Sequence, residues 1–200
     1  MRITELTCLV GVLGVATAAC SHDVVGQANA ASSPDGPTPQ LAIPAALDIA
    51  HLDPCTVLSD AVLAPITGNL DSRTPGKAAV SGPGTGSSCL MFPTDLNRPR
   101  VSVILYPGIG AQPDRLYASG PSFPFYAKAT PIAGAYPAVH TAQGANGPQT
   151  GECGTTFSAD ATSEVEVYVV TVNDADPTYT HMCTVSDQLA ADLITSSPKV

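Results

Sequence analysis

The chain has 200 residues, and 17 acidic against 8 basic side chains give it a formal net charge of −9 at neutral pH. The basic residues do not cluster, so the sequence lacks the positive surface that binds a phosphate backbone, and we expect no nucleic-acid partner. The length suits one ordinary domain that can bury its own core.

The N-terminus carries a short apolar run, Leu6 to Ala19, followed directly by a cysteine. A bilayer-spanning helix needs about twenty residues, so this shorter run is typical of a signal peptide. Residues 17–20 (TAAC) resemble a bacterial lipobox, in which the cysteine thiol receives a lipid. We predict a signal peptide over 1–19, acylation of Cys20, and a lipid-anchored location on the cell membrane, facing outside the cytoplasm. The A-x-A string at 28–30 offers a conventional secretory cleavage site as the alternative.

The segment from 20 to 49 is rich in Ala, Ser, Pro and Gly, a composition typical of a flexible tether. Such a segment reaches about 30 Å, enough to hold a domain clear of the lipid head groups. An acidic protein gains little from anionic lipids, so membrane attachment would come from the acyl chains. The sequence therefore predicts a single folded domain over residues 50–197.

The first part of this domain contains two helix-start signals. Asp53 can cap a helical turn, and Ser59 can cap a second helix that ends at Gly68. Residues 69–87 hold Gly, Pro, Ser and Thr without periodicity and predict a mobile loop.

Alternating apolar residues then predict strands, and a late three-and-four spacing predicts a helix. The predicted strands are Ser88–Phe92, Arg100–Tyr106, Tyr136–Ala142, 152–158 and 164–172, with a short helix over Pro113–Ser119 and a longer one around Met182–Leu193. Two of the strand pairs form hairpins, the second turning near 160–163. Hairpins flanked by helices predict an α+β fold, a mostly antiparallel sheet with helices packed on it.

Four cysteines remain once Cys8 is removed with the signal peptide and Cys20 is lipidated: Cys55, Cys89, Cys153 and Cys183. An even number in an exported protein predicts disulfides, and no C-x-x-C spacing favours zinc. The second hairpin returns the chain near Cys153 just before Cys183, so these two should pair, which leaves Cys55 to pair with Cys89. Each bridge closes a loop of roughly thirty residues, worth about 3 to 4 kcal/mol in the chain-entropy model.

These features together resemble a family of actinobacterial cell-envelope lipoproteins catalogued as domain of unknown function 3558. The resemblance rests on the lipobox, the tether, the Asp-Pro-Cys string at 53–55, the Gly-Ser-Ser-Cys string at 86–89, and the late cysteine pair. The family commonly has an aromatic residue where this chain has Met91. The resemblance implies an α+β domain outside the plasma membrane, with a PsbP/Mog1-like sandwich as a possible fold, and it implies no established activity.

No pattern in the sequence indicates catalysis, a metal site or a cofactor. His140 and His181 fall near a predicted strand and a helix start, but the chain has no G-x-S-x-G elbow, so we expect ordinary surface or edge histidines. Glu164 and Glu166 share one face of a predicted strand, where paired carboxylates can bind a cation or transfer a proton. Solvent exposure is the commoner state of alternating glutamates, and it is our expectation here.

An aromatic stretch is the sequence feature that suggests binding. Residues 121–126 (PSFPFY) place Phe123, Phe125 and Tyr126 in a proline-restricted loop. Such a loop either packs on the core or lines a groove for an apolar ligand or an envelope protein. We therefore expect a non-catalytic binding or interaction module at the cell envelope. A carrier of a lipid-like molecule in an internal cavity is the alternative, and an envelope hydrolase is a third option.

Overall fold

Seven strands and two α-helices make up the part of the chain that the computed structural model describes, namely residues 42–78, 86–109, 116–117, 125–142, 151–171 and 179–200. Only the backbone is described at 125–126 and 179–180. The strands are β1 (Leu70–Ala78), β2 (Gly86–Pro93), β3 (Arg100–Tyr106), β4 (Phe125–Lys128), β5 (Ala138–Ala142), β6 (Glu152–Ser158) and β7 (Glu164–Val170). The helices are α1 (Asp60–Thr67) and α2 (Tyr179–Ser196), with a 3₁₀ turn at Ile49–His51.

The strands form one sheet in the order β1-β2-β3-β7-β6-β5-β4, and neighbouring strands are antiparallel throughout. Helix α2 packs across β6 and β7. This architecture confirms the predicted α+β class and both predicted hairpins. We call the side of the sheet that α2 covers the helix face, and the opposite side the polar face.

The helix face carries the apolar core, because alternate residues of each strand point toward α2. Fully buried side chains come from the strands and from one stripe of α2: Val101, Val103, Leu105, Phe157, Val165, Val167, Val169, Met182, Leu189 and Leu193. The three-and-four spacing on α2 brings its members onto one side of the helix, as the sequence predicted.

Two disulfides cross-link strands of the sheet to segments outside it. Cys55 bonds Cys89 on β2, and Cys153 on β6 bonds Cys183 on α2. Both pairings confirm the prediction. The Cys153–Cys183 pairing follows from strand pairing, since β7 returns the chain to the start of β6 before α2 begins, and it leaves Cys55 for Cys89.

Strand β1 corrects the prediction of a mobile loop over 69–87, which was wrong for 70–78. Most of β1 is exposed at the sheet edge, so its side chains show no apolar alternation. Pro75 cannot donate to a neighbouring strand, but an edge strand tolerates this. Arg73 fastens the strand by donating to the carbonyl of Cys55 and by pairing with Asp60 at 2.5 Å.

Packing extends beyond the predicted domain limits of 50 and 197. Leu47 and Ile49 are buried in the core although their surroundings have a tether-like composition. Leu47 pairs with Lys199 in an isolated β-bridge, and the Tyr136 hydroxyl donates to the carbonyl of Ala45 at 2.7 Å. Isolated apolar residues in a Pro- and Ala-rich segment leave no periodic signal, so this part of the domain was not visible in the sequence.

Both predicted limits of helix α1 are confirmed. The Ser59 side chain accepts a hydrogen bond from the Val62 N–H, and Gly68 ends the helix with a φ of 66°. The other predicted segments fall wholly or mostly outside the described residues, namely the signal peptide with Cys20, the tether up to 41, and the 113–119 helix apart from 116–117. Among the described residues, no helix is long and apolar enough to cross a membrane.

Candidate functional site

Polar side chains are buried or partly buried on both faces of the sheet, in two clusters: every member of the first is hydrogen-bonded, and the second contains unpaired hydroxyls. The helix-face cluster consists of His140 on β5, Thr155 on β6, and Ser186 and Asp187 on α2. Its His140 Nε2 lies 2.8 Å from Asp187 Oδ1, and the Thr155 hydroxyl donates to the same oxygen at 2.7 Å. Ser186 Oγ lies 2.7 Å from both the Thr155 hydroxyl and the carbonyl of Val167. Every member therefore has a partner.

The predicted surface position of His140 was wrong, since only 18% of its side chain is exposed. The cause is helix α2, which places Asp187, 47 residues later in the chain, against the imidazole. In a hydrolase triad the nucleophilic hydroxyl bonds the imidazole directly. Here, among the described residues, the Thr155 hydroxyl bonds Asp187 and the Ser186 hydroxyl bonds Thr155, so neither hydroxyl bonds the imidazole. The cluster therefore joins the helix to the sheet. His181 is exposed on α2.

The second disulfide lies beside this cluster. A ring nitrogen of His140 and the sulfurs of Cys153 and Cys183 all lie within 4.8 Å of one another. Such a group suits a metal ion only when the sulfurs are thiolates. Because the two sulfurs are bonded to each other, they are not free to ligate.

The Glu166 cluster lies on the polar face and consists of Tyr106 on β3, Thr141 on β5, Thr156 and Ser158 on β6, and Glu166 on β7. Thr141 donates to Glu166 Oε1 at 3.2 Å, and Tyr106 donates to Oε2 at 3.4 Å. Glu166 is only 2% exposed, which contradicts the expected solvent exposure. The reason is its position on a central strand, flanked by β3 and β6 on its two sides, whereas Glu164 near the strand end is half-buried.

Two hydroxyls of the Glu166 cluster are buried without a hydrogen-bond partner in the described structure. Thr156 lies directly opposite Glu166 in the ladder and is 6% exposed, and Ser158 is 1% exposed. Neither Thr156 Oγ1 nor Ser158 Oγ is bonded to any described group. A buried, unsatisfied hydroxyl costs about 1–3 kcal/mol, so native structures keep few of them.

Gly154 lets the side chains of this cluster pack directly against the backbone of β6. A Cβ at this position would lie 2.5 Å from Thr141 Oγ1 and 2.9 Å from Glu166 Oε1, closer than real Cβ contacts. Only glycine therefore leaves the carboxyl and hydroxyl groups in their present arrangement.

Burial determines the ionisation of the cluster. It raises the pKa of Glu166, and the hydrogen bonds from Thr141 and Tyr106 oppose that rise without cancelling it. Burial also raises the pKa of Tyr106, and the neighbouring charge of Glu166 adds to the effect. The Tyr106 phenol therefore stays protonated near neutral pH and acts as a donor to Glu166.

A separate groove of about 520 Å³ lies between the turn before α1 and the end of α2. Leu52, Val57 and Val62 contribute apolar side chains to its lining, and Asp192 and Thr195 contribute polar ones. Its size falls in the range of small-molecule pockets. Sequence analysis did not single out any of these residues as a site.

The predicted aromatic site is described only in part. Phe123 lies outside the described residues, and Phe125 and Tyr126 form the start of β4, with backbone positions opposite Ala142 and Thr141. Whether these aromatic residues bind a ligand stays a prediction.

Comparison with known proteins identifies a family. The family model described as "Protein of unknown function (DUF3558)" matches residues 15–196, so the chain belongs to this family. No curated protein and no solved structure matches the chain.

Proposed function

We propose that this member of the DUF3558 family is a non-catalytic binding module, anchored through lipid on Cys20 to the outer side of the cell membrane, and that it binds a small polar ligand at the Glu166 cluster. The observation that carries the proposal is the buried hydroxyl of Thr156, directly opposite the buried Glu166, together with that of Ser158, the next residue along β6 on the same face; no described group satisfies either hydroxyl. Native proteins leave few buried polar groups unpaired, and a bound polar ligand would supply the missing partners.

Binding rather than catalysis is favoured by the contrast with the helix-face cluster. That cluster contains the imidazole, carboxylate and hydroxyl groups of a hydrolase, but their order leaves no described hydroxyl on the His140 ring. The Glu166 cluster has hydrogen-bonding capacity to spare but no described imidazole or thiol that could act as a nucleophile.

The test is native mass spectrometry of the acylated protein isolated from its own membrane. We expect the wild type to carry a small polar molecule that the Thr156→Val/Ser158→Ala variant lacks. Thr74→Val is the matched control, because Thr74 is an exposed threonine of the edge strand β1. A bound mass that is equal in all three proteins would overturn the assignment to the Glu166 cluster.

The same spectra test the other parts of the proposal. A Cys20→Ser variant should lack the mass of the diacylglycerol. If the variant keeps this mass, the proposed membrane anchor on Cys20 is wrong. If the molecule that co-purifies is lipid-like and survives in Thr156→Val/Ser158→Ala, the protein is instead an apolar carrier, for which the groove beside Val57 is the described candidate.

Gly154→Ala gives a second, steric route to the same answer. The added methyl group would collide with Thr141 and Glu166 and should abolish binding. Overpacking of this kind costs about 1–3 kcal/mol of stability, so the free energy of unfolding must be measured alongside. Retained binding in a folded Gly154→Ala protein would contradict the site.

A further inference from the structure

The Glu166 cluster has more hydrogen-bond acceptors than donors. The hydroxyl hydrogens of Thr141 and Tyr106 are already directed at the Glu166 carboxyl, so these two groups offer only lone pairs to a ligand. An ionised carboxylate has about four lone-pair positions, of which the described bonds use two. Thr156 and Ser158 each add one donor and two acceptor positions, and the two spare lone pairs of the carboxylate match the two added donors, so the remaining excess is of acceptors. A ligand that matches this site must therefore donate several hydrogen bonds.

The charge around the cluster favours a positive ligand. No described cation pairs with Glu166, whose described contacts are the hydroxyls of Thr141 and Tyr106. Other titratable or charged groups on the polar face, assigned from the strand register, are Arg100 on β3, Lys128 on β4, Glu152 on β6, and Glu164 and Tyr168 on β7. The whole chain carries a net charge of −9. An anionic ligand would be repelled at this position, and a buried carboxylate is stabilised by a cation.

We propose that the ligand of the Glu166 cluster is a small protonated primary amine, whose ammonium group binds the Glu166 carboxylate and donates to the hydroxyls of Thr156 and Ser158. This assignment rests on the proposed binding function and names its ligand class. An ammonium group has three donors and no acceptor, which complements an acceptor-rich site. Tyr106 and Tyr168 lie on the same face of the sheet, and aromatic rings attract organic cations.

Amine binding must be linked to the proton on Glu166. Burial raises the pKa of this carboxyl in the empty site, so part of the population is protonated as pH falls toward the acidic range. The ammonium ion favours the ionised form, so binding displaces that proton. Affinity should therefore rise with pH until Glu166 is fully ionised in the free protein, and then level off.

The experiment titrates the purified full chain, with glutamate side-chain carboxyl carbons labelled with ¹³C, against methylammonium chloride. Methanol is the neutral match, and tetramethylammonium has the charge without N–H donors. We expect methylammonium alone to shift the Glu166 signal, with an affinity that falls as pH is lowered. For the variants, methylammonium affinity is measured by isothermal titration calorimetry: Glu166→Gln should weaken binding at least tenfold, whereas the control Glu164→Gln, two residues away on the same strand face, should change it less than twofold.

The outcomes separate this assignment from the broader proposal. If methanol, tetramethylammonium or potassium binds as tightly as methylammonium, and Glu166→Gln abolishes that binding, the amine class is wrong and the binding site stands. Methylammonium binding that is unchanged in Glu166→Gln and in Thr156→Val also overturns the amine assignment. If no probe shifts the Glu166 signal and the native protein carries no small molecule at this cluster, the amine assignment and the proposed function both fail.

Discussion

The two faces of the sheet differ in whether their buried hydroxyl groups are hydrogen-bonded, as two neighbouring residues of one strand show. Thr155 and Thr156 are adjacent on β6 and both are buried, but Thr155 points to the helix face and Thr156 to the polar face. The Thr155 hydroxyl contacts Asp187 and Ser186, each at 2.7 Å, while Thr156 has no described partner. A buried polar group that is fully bonded holds a structure together, whereas an unsatisfied one needs an explanation, and a bound ligand is the explanation that we propose.

The largest expected effect is on the helix face, where the Cys153–Cys183 bridge fastens α2 to β6. Replacing both cysteines with alanine should lower the free energy of unfolding by about 3 kcal/mol, because the bridge restricts the unfolded chain. Urea denaturation measures this loss. Cys55→Ala/Cys89→Ala is the matched control, since its sequence separation of 34 residues is close to the 30 of the first pair. A loss below about 1 kcal/mol in the first variant would contradict the role of this bridge.

The second prediction tests the comparison itself with one substitution at each of two adjacent positions. Thr155→Val removes one hydrogen bond from Asp187 and one from Ser186, both in a largely buried cluster, and should cost about 1–3 kcal/mol of stability. Thr156→Val replaces an unsatisfied hydroxyl with a methyl group of the same shape, so its effect should lie within about 0.5 kcal/mol of zero or be stabilising. Urea denaturation at a constant m-value measures both. An equal loss at the two positions would show that Thr156 is bonded, and would remove the main support for a ligand site.

The smallest expected effect is the pH dependence that Glu166 adds to stability. Its folded pKa is raised above the ordinary value of 4.5, so the unfolded chain holds fewer protons between these two values. The contribution of Glu166 is therefore fully present below about pH 4.5 and is lost as pH rises through the folded pKa. The difference in unfolding free energy between wild type and Glu166→Gln should fall with rising pH in this window. A difference that rises or stays flat would show that the carboxyl is not buried in solution.

Local sequence patterns predicted much of the fold correctly. Both hairpins and helix α2 were accessible because each depends on residues within one or two neighbouring elements. The second hairpin predicted the Cys153–Cys183 pair, and the Cys55–Cys89 pair followed by elimination. Strand β1 was missed because an exposed edge strand needs no apolar alternation. The cap at Ser59 and the stop at Gly68 were predicted because helix ends are specified by single residues.

The candidate site was predicted less well than the fold. Glu166 was noted as one of a pair of carboxylates, but its burial was missed because alternation along a strand does not reveal whether a face is covered. Its partners Thr141 and Tyr106 lie 25 and 60 residues away in sequence. Ser158 and Gly154 gave no signal at all, since a serine and a glycine in a strand have many ordinary explanations.

The sequence by itself determined which segments form strands and helices and which cysteines pair, because these depend on periodicity, caps and chain return over short distances. The tertiary structure alone decided which polar groups became buried and which of them found partners. Burial depends on where a strand lies in the sheet, and β7 lies at its centre only because β3 and β6 pair on its two sides. Adjacent residues of a strand point to opposite faces, and because α2 packs on one of these faces, the Thr155 hydroxyl stabilises the fold while the Thr156 hydroxyl faces the proposed ligand.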